Sequence, residues 1–414
     1  MSLIRTSALT FLVTASKMLA GLVINKAISL FIGPSGLAFL GQFQNFFQIT
    51  STFAQGGVNN GVTKYVAEYG RASKKIPILF STAARISFFM SLIASLGLLL
   101  LSHSLSNYFF KSNAYSYIFI IYAFTIFLFV INNLLLSIVN GLKEIKTWVY
   151  INLVQNFYTL LFTTLLIVFL GLEGALIALV TNQSIVLLIL LWLLRKHEVI
   201  SWKNFSNAFD SDEARKLVRF SAMAFTSAAT IPVSHLLVRN YIGENLGWEQ
   251  AGYWQAIWYI SSMYLMVVTT TLGVYYLPRL SELKEKRDIR SEVFRGFKFI
   301  IPIVSVAALS IYALRELIVT ILFSNEFYPA SELFFWQLTG DVIKVASFLL
   351  GYIVIAKAMT RTYIYSEIIF SISFVLLSFF FVKHYGLVGV TYAFALNYTL
   401  HLFSMFYLTR NQLN

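Results

Sequence analysis

The sequence of 414 residues contains no cysteine, only five histidines and only 12% charged residues. Without cysteine the chain forms no disulfide, thiol nucleophile or cysteine metal site, and the scattered histidines make no ligand cluster. Soluble domains usually contain about 25% charged residues, whereas this chain is 58% hydrophobic with a mean hydropathy of +0.74. These deficits predict an integral membrane protein.

The motifs of common enzymes are also missing from the sequence. It contains no G-x-x-x-x-G-K-[ST] loop, no H-E-x-x-H or G-x-S-x-G motif, and no carboxylate cluster with metal-ligand spacing. Apart from residues 102–114 and 315–332, the segments between apolar runs on the predicted outer side are too short for a catalytic domain. We therefore expect no cofactor, no metal and no enzymatic activity.

Apolar runs of about 20 residues, the length that spans a bilayer, recur along the whole chain. The first follows Arg5 without an A-x-A type cleavage site, which indicates a retained helix and not a signal peptide. The pattern predicts an all-α polytopic membrane protein with twelve transmembrane helices. The runs cover residues 9–32, 36–62, 78–101, 115–140, 148–170, 174–194, 218–241, 251–277, 298–314, 333–356, 362–382 and 387–408.

The net charge of +13 follows the predicted topology. If the N-terminus is cytoplasmic, the Lys and Arg residues concentrate in cytoplasmic segments, above all 63–77, 195–219 and 279–298. The outer side then holds only Lys111, Arg239, Arg315 and Lys383. This asymmetry is typical of inner-membrane proteins and predicts that both termini are cytoplasmic. It also explains the basic charge without nucleic acid as a partner.

The chain contains an internal repeat. One set of residues matches a second set at an offset of 214, and another pair of sets matches at 215. The agreement predicts two six-helix bundles of equal orientation, 1–194 and 218–414, joined by a cytoplasmic linker at 195–217. Such parallel repeats are typical of transporters built around a central cavity. The first sets are Arg5, Ser7, Ala8, Phe11 and Arg219, Ser221, Ala222, Phe225; the second are Gly171, Leu172, Gly174, Ala178, Asn182 and Gly386, Leu387, Gly389, Ala393, Asn397.

Polar residues at helical spacing mark the helices that would line such a cavity. The second helix carries an amide-rich stripe from end to end, and Lys17 lies on a similar stripe of the first helix. Lys26 is about half a turn away from Lys17, so it faces a neighbouring helix or the interface. For the weaker stripes on the fifth and seventh helices, the latter around Pro232, interhelical hydrogen bonds are favoured over a cavity face. The stripe of the second helix comprises Gln42, Asn45, Gln48, Thr52, Gln55 and Asn59.

Residues 332–357 set Asp341 and Lys344 near the middle of an apolar run. A charge at that depth costs about 2.5 to 3.5 kcal/mol on insertion scales, and Gln337 lies on the same helical face. Two interpretations are open, an ion pair that joins helices or a polar face on a transport pathway. Interior lysines without dense acidic sites suit an anionic substrate such as a diphosphate. The phenylalanines are expected to be lipid-facing bulk and packing, and the Trp and Tyr residues interfacial anchors.

Three runs in the sequence resemble the Wzx flippases, in the branch that holds lipid III and O-antigen flippases. They are GVTKYVAEY at 61–69, LPRLSELKEKRDIRSEVFRGFKFIIP at 277–302 and FFWQLTGDVIKVASFLLGYIVIAKA at 334–358. These flippases belong to the multidrug/oligosaccharidyl-lipid/polysaccharide (MOP) exporter superfamily, together with MATE exporters and MurJ. The resemblance covers essentially the whole chain. It implies two six-helix bundles in a V around a central cavity.

The resemblance implies movement of an undecaprenyl-diphosphate-linked oligosaccharide across the bacterial inner membrane to the periplasmic leaflet. It also implies that Lys17, Lys26 and Lys344, with Asp341, contact the substrate, and that a polysaccharide polymerase and a chain-length regulator are protein partners. The high phenylalanine content favours an O-antigen substrate over the common antigen. The alternatives are a MATE-type antiporter coupled to an ion at Asp341 or Glu367, and a scaffold that transports nothing.

Overall fold

The computed structural model describes residues 3–71, 73–195, 197–357 and 359–413. Every regular element within these ranges is a helix. Short 3-10 helices lie at Asn113–Tyr115, Trp202–Phe205 and Asn325–Leu333, and a π-helical turn lies at Leu272–Tyr276. The α-helices are α1 (Leu3–Phe31), α2 (Gly33–Ala54), α3 (Asn59–Tyr69), α4 (Lys75–Leu100), α5 (Ser102–Phe110), α6 (Ser116–Gly141), α7 (Ile145–Leu194), α8 (Ser211–Leu246), α9 (Trp248–Thr271), α10 (Leu277–Glu282), α11 (Lys286–Ala313), α12 (Arg315–Leu322), α13 (Phe334–Ala356), α14 (Thr360–Tyr385) and α15 (Val388–Leu413).

Each apolar run found in the sequence coincides with helical structure, and the all-helical fold class is confirmed. Within the described ranges, seven helices are long and apolar enough to cross a membrane. One of them is α7, whose 50 residues contain two of the predicted spans. The chain is therefore a multi-pass membrane protein, while the count of twelve spans stays a prediction.

The second predicted helix, 36–62, is wrong as a single helix. The chain breaks between α2 and α3, where Gly56 and Gly57 have φ values of +68° and +63°. These left-handed conformations cannot continue an α-helix and are open to glycine at little cost. A Cβ on Gly57 would also lie 2.9 Å from the Cα of Ser221 in α8, so the glycine allows the two backbones to approach closely. The amide stripe therefore crosses two helices.

The matched glycines of the repeat adopt matched backbones. Gly171 (φ +57°) and Gly386 (φ +62°) each end one helix and begin the next. Three residues later, a Cβ on Gly174 would lie 1.9 Å from the Leu166 carbonyl oxygen, and one on Gly389 would lie 2.2 Å from that of Phe381. Both Gly-Leu-x-Gly sequences thus form tight turns in which the second helix starts against the end of the first.

By packing, the chain divides into two compact units. Unit 1 comprises Met1–Ile32 and Phe39–Pro232, and unit 2 comprises Gly33–Ala38 and Val233–Asn414. The boundaries expected from the repeat, with a linker at 195–217, stay a prediction. Pro232, expected to mark a kink, lies inside α8, which continues through it as a helix.

The core of unit 1 lies where α3, α4, α6 and the C-terminal part of α7 pack together. The predicted linker segment packs on this core, with Phe205 stacked on Phe80 at 5.2 Å. Beyond it, α8 begins with a hydrogen-bonded cluster: the Tyr69 hydroxyl donates to Glu213 at 2.9 Å, and Lys216 Nζ donates to Glu213 Oε1 at 2.6 Å. These contacts attach the start of α8 to the end of α3.

Unit 2 has its main apolar core around the π-helical turn and α10, α11, α13 and α15. Leu272, Leu280, Leu349 and Ile353 are fully buried there. A smaller cluster joins α9 to α11 and α13 through Leu265, Val304 and Val345. This packing fixes α13 between α9 and α15, and it is on α13 that the charged residues of the candidate site lie.

Candidate functional site

Lys344 of α13 points its ammonium group into a box of four aromatic rings. Its Nζ lies 5.0 Å from the ring centre of Trp258, 5.2 Å from Tyr398, 5.6 Å from Phe348 and 5.7 Å from Phe394. All four distances are within the range of about 6 Å at which a cation is attracted to the face of an aromatic ring. We call these four rings the aromatic box. Cation–π contacts with these rings stabilise a charge that lies deep in an apolar helix.

The sequence around Gly340 explains why the rings reach Lys344. A Cβ at position 340 would lie 2.4 Å from the Phe394 ring, so only a glycine lets α15 approach α13 this closely. Phe394 in turn makes edge-to-face contacts with Trp258 of α9 at 5.9 Å and with Tyr398 at 4.9 Å. Phe348 lies one helical turn after Lys344 and contacts Tyr398 at 6.3 Å. The box is assembled from three helices.

Asp341 is fully buried one turn before Lys344. Its Oδ2 accepts a hydrogen bond of 2.8 Å from the Tyr264 hydroxyl of α9. Its Oδ1 and both amide atoms of buried Gln337 have no hydrogen-bond partner within the described residues. No ion pair joins Asp341 to Lys344 in this part of the chain. Buried polar groups are normally paired, so this face of α13 has unused hydrogen-bonding capacity.

Arg239, which the charge pattern assigns to the outer side, is a buried residue, and its side of the membrane stays a prediction. It lies within α8, only 1% of its surface is exposed, and it hydrogen-bonds to Gln255 of α9. Its guanidinium lies 5.4 Å from the ring centre of Trp254. One turn earlier, buried His235 contacts the edge of Trp258 at 4.1 Å. The extension of α8 to Leu246 brings these two basic groups into unit 2, because the polar sequence near its end still forms helix.

Glu367 of α14 lies near the same box. It is close enough to interact electrostatically with Lys344, and it lines a cavity of about 200 Å³ together with Phe348 and His401. The Nδ1 atom of His401 is 2.5 Å from the Ser347 hydroxyl of α13. Asp341, Lys344 and Glu367, which the sequence marked separately, are thus brought together in unit 2.

The candidate residues of unit 1 are more dispersed. Lys17 is exposed on α1, and Lys26 is half-buried on the same helix. The amides of Gln55 and Asn59 bond to each other across the break between α2 and α3. On α2 itself, Gln48 is exposed, whereas Asn45 is half-buried and its Nδ2 has no partner among the described residues.

The aromatic ligands of Lys344 were missed by sequence reasoning. Phenylalanines were assigned to lipid-facing bulk and packing, and tryptophans and tyrosines to the interface, but Trp258, Phe394 and Tyr398 surround an interior ammonium group. Tyr264 likewise binds Asp341. The available signal was position: Trp258 and Tyr264 lie well inside α9, and Tyr398 lies inside α15, where an interfacial anchor is out of place.

Comparison with known proteins places this chain in a family. A family model described as "Polysaccharide biosynthesis protein" matches residues 3–284, and the lipid III flippase of Escherichia coli (strain K12) is 30% identical over 401 residues, 97% of this chain and 96% of the relative. The chain belongs to this family. This polysaccharide biosynthesis protein thus matches a curated relative over nearly the whole length of both chains.

Solved structures agree on the fold of this polysaccharide biosynthesis protein. A multidrug resistance MATE family transporter of the MOP superfamily, in an inward-facing conformation, matches with a TM-score of 0.81 and 14% identity, over 96% of this chain and 94% of the other. The lipid II flippase MurJ, in an inward closed conformation, matches with a TM-score of 0.71 and 14% identity, over 98% and 87%. The chain therefore has the fold of the MOP superfamily transporters.

Proposed function

We propose that this protein is a flippase, which translocates an undecaprenyl-diphosphate-linked oligosaccharide from the cytoplasmic to the periplasmic leaflet of the bacterial inner membrane by alternating access. The observation that carries the proposal is the 30% identity to a lipid III flippase over 97% of the chain. The MurJ-like fold and the polar, cationic interior support it. The protein is accordingly a transporter and not an enzyme, and we propose that both its termini are cytoplasmic.

Three lysines are proposed to attract the diphosphate. Lys17 is exposed on α1, where its ammonium group is free to reach a large headgroup. Lys344 is half-buried as a residue, and we propose that the diphosphate reaches its ammonium group at the aromatic box. Lys26 is proposed as an auxiliary cation. A hydrogen bond to a charged group contributes about 1.5–3 kcal/mol, so the loss of any one of these contacts should measurably weaken substrate binding.

Amides of α2 and α3 are proposed to bind the sugars. Asn45 has an unsatisfied donor in a half-buried position, and Gln48 is exposed one turn further along. Gln55 and Asn59 bond to each other at the helix break and so present a rigid pair of amides. Sugar hydroxyls are donors and acceptors, which suits such amide groups. The glycine break between α2 and α3 gives the pair an orientation that one straight helix would not.

Asp341 and Glu367 are proposed to couple transport to an ion. Asp341 has one oxygen without a partner among the described residues, and both carboxyl groups lie around Lys344. The MATE-like fold favours an ion-coupled antiporter as the second candidate function. Against it stands Lys344, which places a positive charge where an antiporter of cationic drugs needs a negative one.

The polymerase and chain-length regulator of polysaccharide assembly are proposed as partners.

The test is flipping of an undecaprenyl-diphosphate oligosaccharide in liposomes that contain the purified protein. We expect wild-type protein to transport and Lys344→Gln to lose about tenfold or more of the rate, because about 1.4 kcal/mol of lost binding is tenfold. Lys344→Glu should abolish surface polysaccharide in cells while the protein is still inserted.

Two variants serve as controls. Lys344→Arg keeps a cation that also stacks on aromatic rings, so it should retain much of the activity. Lys383→Glu changes the charge of an exposed residue near the end of α14 and should transport like wild type. A fully active Lys344→Glu would remove the proposed role of Lys344, and a wild-type protein that moves no such lipid under any ion gradient would refute the proposed function.

A further inference from the structure

The aromatic box has the composition of a site for organic ammonium ions. Four ring centres lie 5.0–5.7 Å from one ammonium nitrogen, and three of the rings, Trp258, Phe348 and Tyr398, are partly exposed. Aromatic cages of this kind recognise quaternary ammonium groups by cation–π attraction. In this protein the ion inside the cage is the chain's own side chain.

The rings hold one another in place without Lys344. Only 3% of the surface of Phe394 is exposed, and its ring packs on the backbone at Gly340. It also touches Trp258 and Tyr398 edge to face. Edge-to-face pairs are favourable beyond their buried area. Truncation of the lysine should therefore leave a preformed box and not a collapsed core.

Lys344 is the only basic residue of α13, and it balances the negative charge around the box. Asp341 lies one turn before it, and Glu367 of α14 lines a cavity together with Phe348 of the box. The other basic groups nearby have contacts of their own: Arg239 bonds to Gln255, and His235 packs against Trp258 at nearly a right angle. Without the lysine, two carboxyl groups would border an aromatic cage, which is the chemistry that binds a cation.

We propose that the aromatic box is a latent site for an organic ammonium ion, and that Lys344 occupies it and thereby excludes cationic substrates. Lys344 is then the residue that sets the sign of charge this unit accepts. The inference depends only on the geometry of unit 2 and not on the identity of the transported lipid. By this inference, a single side chain, that of Lys344, distinguishes the protein from a transporter of cations.

The test measures binding of radiolabelled tetramethylammonium to the purified full-length protein. Lys344→Ala opens the box, and we expect it to bind the probe at least about tenfold more tightly than wild type, the equivalent of one cation–π contact or more. Lys344→Met removes the charge but fills the space, so it should bind no better than wild type. The double variant Lys344→Ala/Trp258→Leu should lose the affinity that Lys344→Ala gained.

A second measurement separates a cation site from a mere cavity. Butylammonium replaces the missing lysine end, so it should raise the melting temperature of Lys344→Ala in a concentration-dependent way, whereas neutral n-butanol should not. Equal affinity of Lys344→Ala and wild type for tetramethylammonium would overturn the proposal, as would equal stabilisation by butanol.

Butylammonium also allows the proposal to be tested if Lys344→Ala folds poorly. If Lys344→Ala is recovered as folded protein only when butylammonium is present, the box is shown to accept an exogenous cation. If butylammonium fails to restore it, the proposal is overturned. Neither outcome touches the flippase assay on wild-type protein, so failure of this inference and failure of the proposed function are distinguishable.

Discussion

The two Gly-Leu-x-Gly turns allow a direct test of the internal repeat. An alanine at position 389 would place a methyl group 2.2 Å from the Phe381 carbonyl oxygen and 2.4 Å from its carbonyl carbon. An alanine at 174 would lie 1.9 Å from the Leu166 oxygen. Because the obstacles are backbone atoms, no side-chain rotation relieves them, and the second helix must move away from the first.

The size of the effect follows from the distances. Ordinary contacts of carbon atoms are about 3.5–4.0 Å, so the turn must open by more than about 1 Å. Overpacking of a filled site costs about 1–3 kcal/mol and occasionally more, and a backbone clash belongs at the upper end. For domains of 150–250 residues, about 3 kcal/mol lowers the melting temperature by about 6–12 °C. The equivalent clashes predict equal losses for Gly174→Ala and Gly389→Ala.

The assay is thermal unfolding of the purified variants in detergent. Gly97→Ala in α4 and Gly351→Ala in α13 are matched controls, because a Cβ at either position meets nothing within 4 Å. Alanine is preferred to glycine inside a helix by about 0.5–1 kcal/mol, so the controls should melt no lower than wild type. If Gly389→Ala melts with the controls, the close-approach explanation of the turn is refuted, and the structural case for the repeat weakens.

Two further predictions concern hydrogen-bonded charges. The carboxylate of Glu213 and the hydroxyl of Tyr69 raise the pKa of Lys216, and burial raises the pKa of Tyr69. Both pKa values are therefore higher in the folded than in the unfolded protein. The stabilisation from these two groups is present below about pH 10 and is lost as the pH rises above it. Thermal melts from neutral to alkaline pH should show this loss, and Lys216→Met should flatten it; an unchanged alkaline slope in that variant would contradict the assignment. Tyr264→Phe removes the 2.8 Å hydrogen bond from the Tyr264 hydroxyl to Asp341 and should cost about 1–3 kcal/mol of stability. A Tyr264→Phe variant as stable as wild type would show that water or an ion satisfies the carboxylate instead.

The periodic features of the fold were predictable from sequence, and the special backbone positions were not. Apolar runs located the helices because the bilayer demands a minimum length of apolar chain. The break at Gly56 and Gly57 could not be predicted from the sequence, because polar residues keep helical spacing on both sides of it and two glycines are compatible with a transmembrane helix. The turn at Gly171 was located as a gap between runs, yet its left-handed backbone became visible only in the structure.

The charged residues of the site were found from sequence because a charge inside an apolar run is conspicuous, whereas their partners were not. Phe394 and Tyr398 are 50 and 54 positions from Lys344, and nothing in the composition of α15 distinguishes a ring that faces lipid from one that faces an ammonium group. The close approach at Gly340 decides this, and it is a property of two helices together.

The aromatic box changes what an interior lysine implies about a transporter. On charge alone, Lys344 indicates only an anionic substrate. Enclosed by four rings and bordered by Asp341 and Glu367, the same lysine sits in surroundings suited to a cation, so its presence determines the polarity of the site. MOP-type transporters share this fold with 14% identity. Because one fold can carry different functions, we expect the charge specificity of this protein to depend on what occupies the box and not on the architecture that builds it.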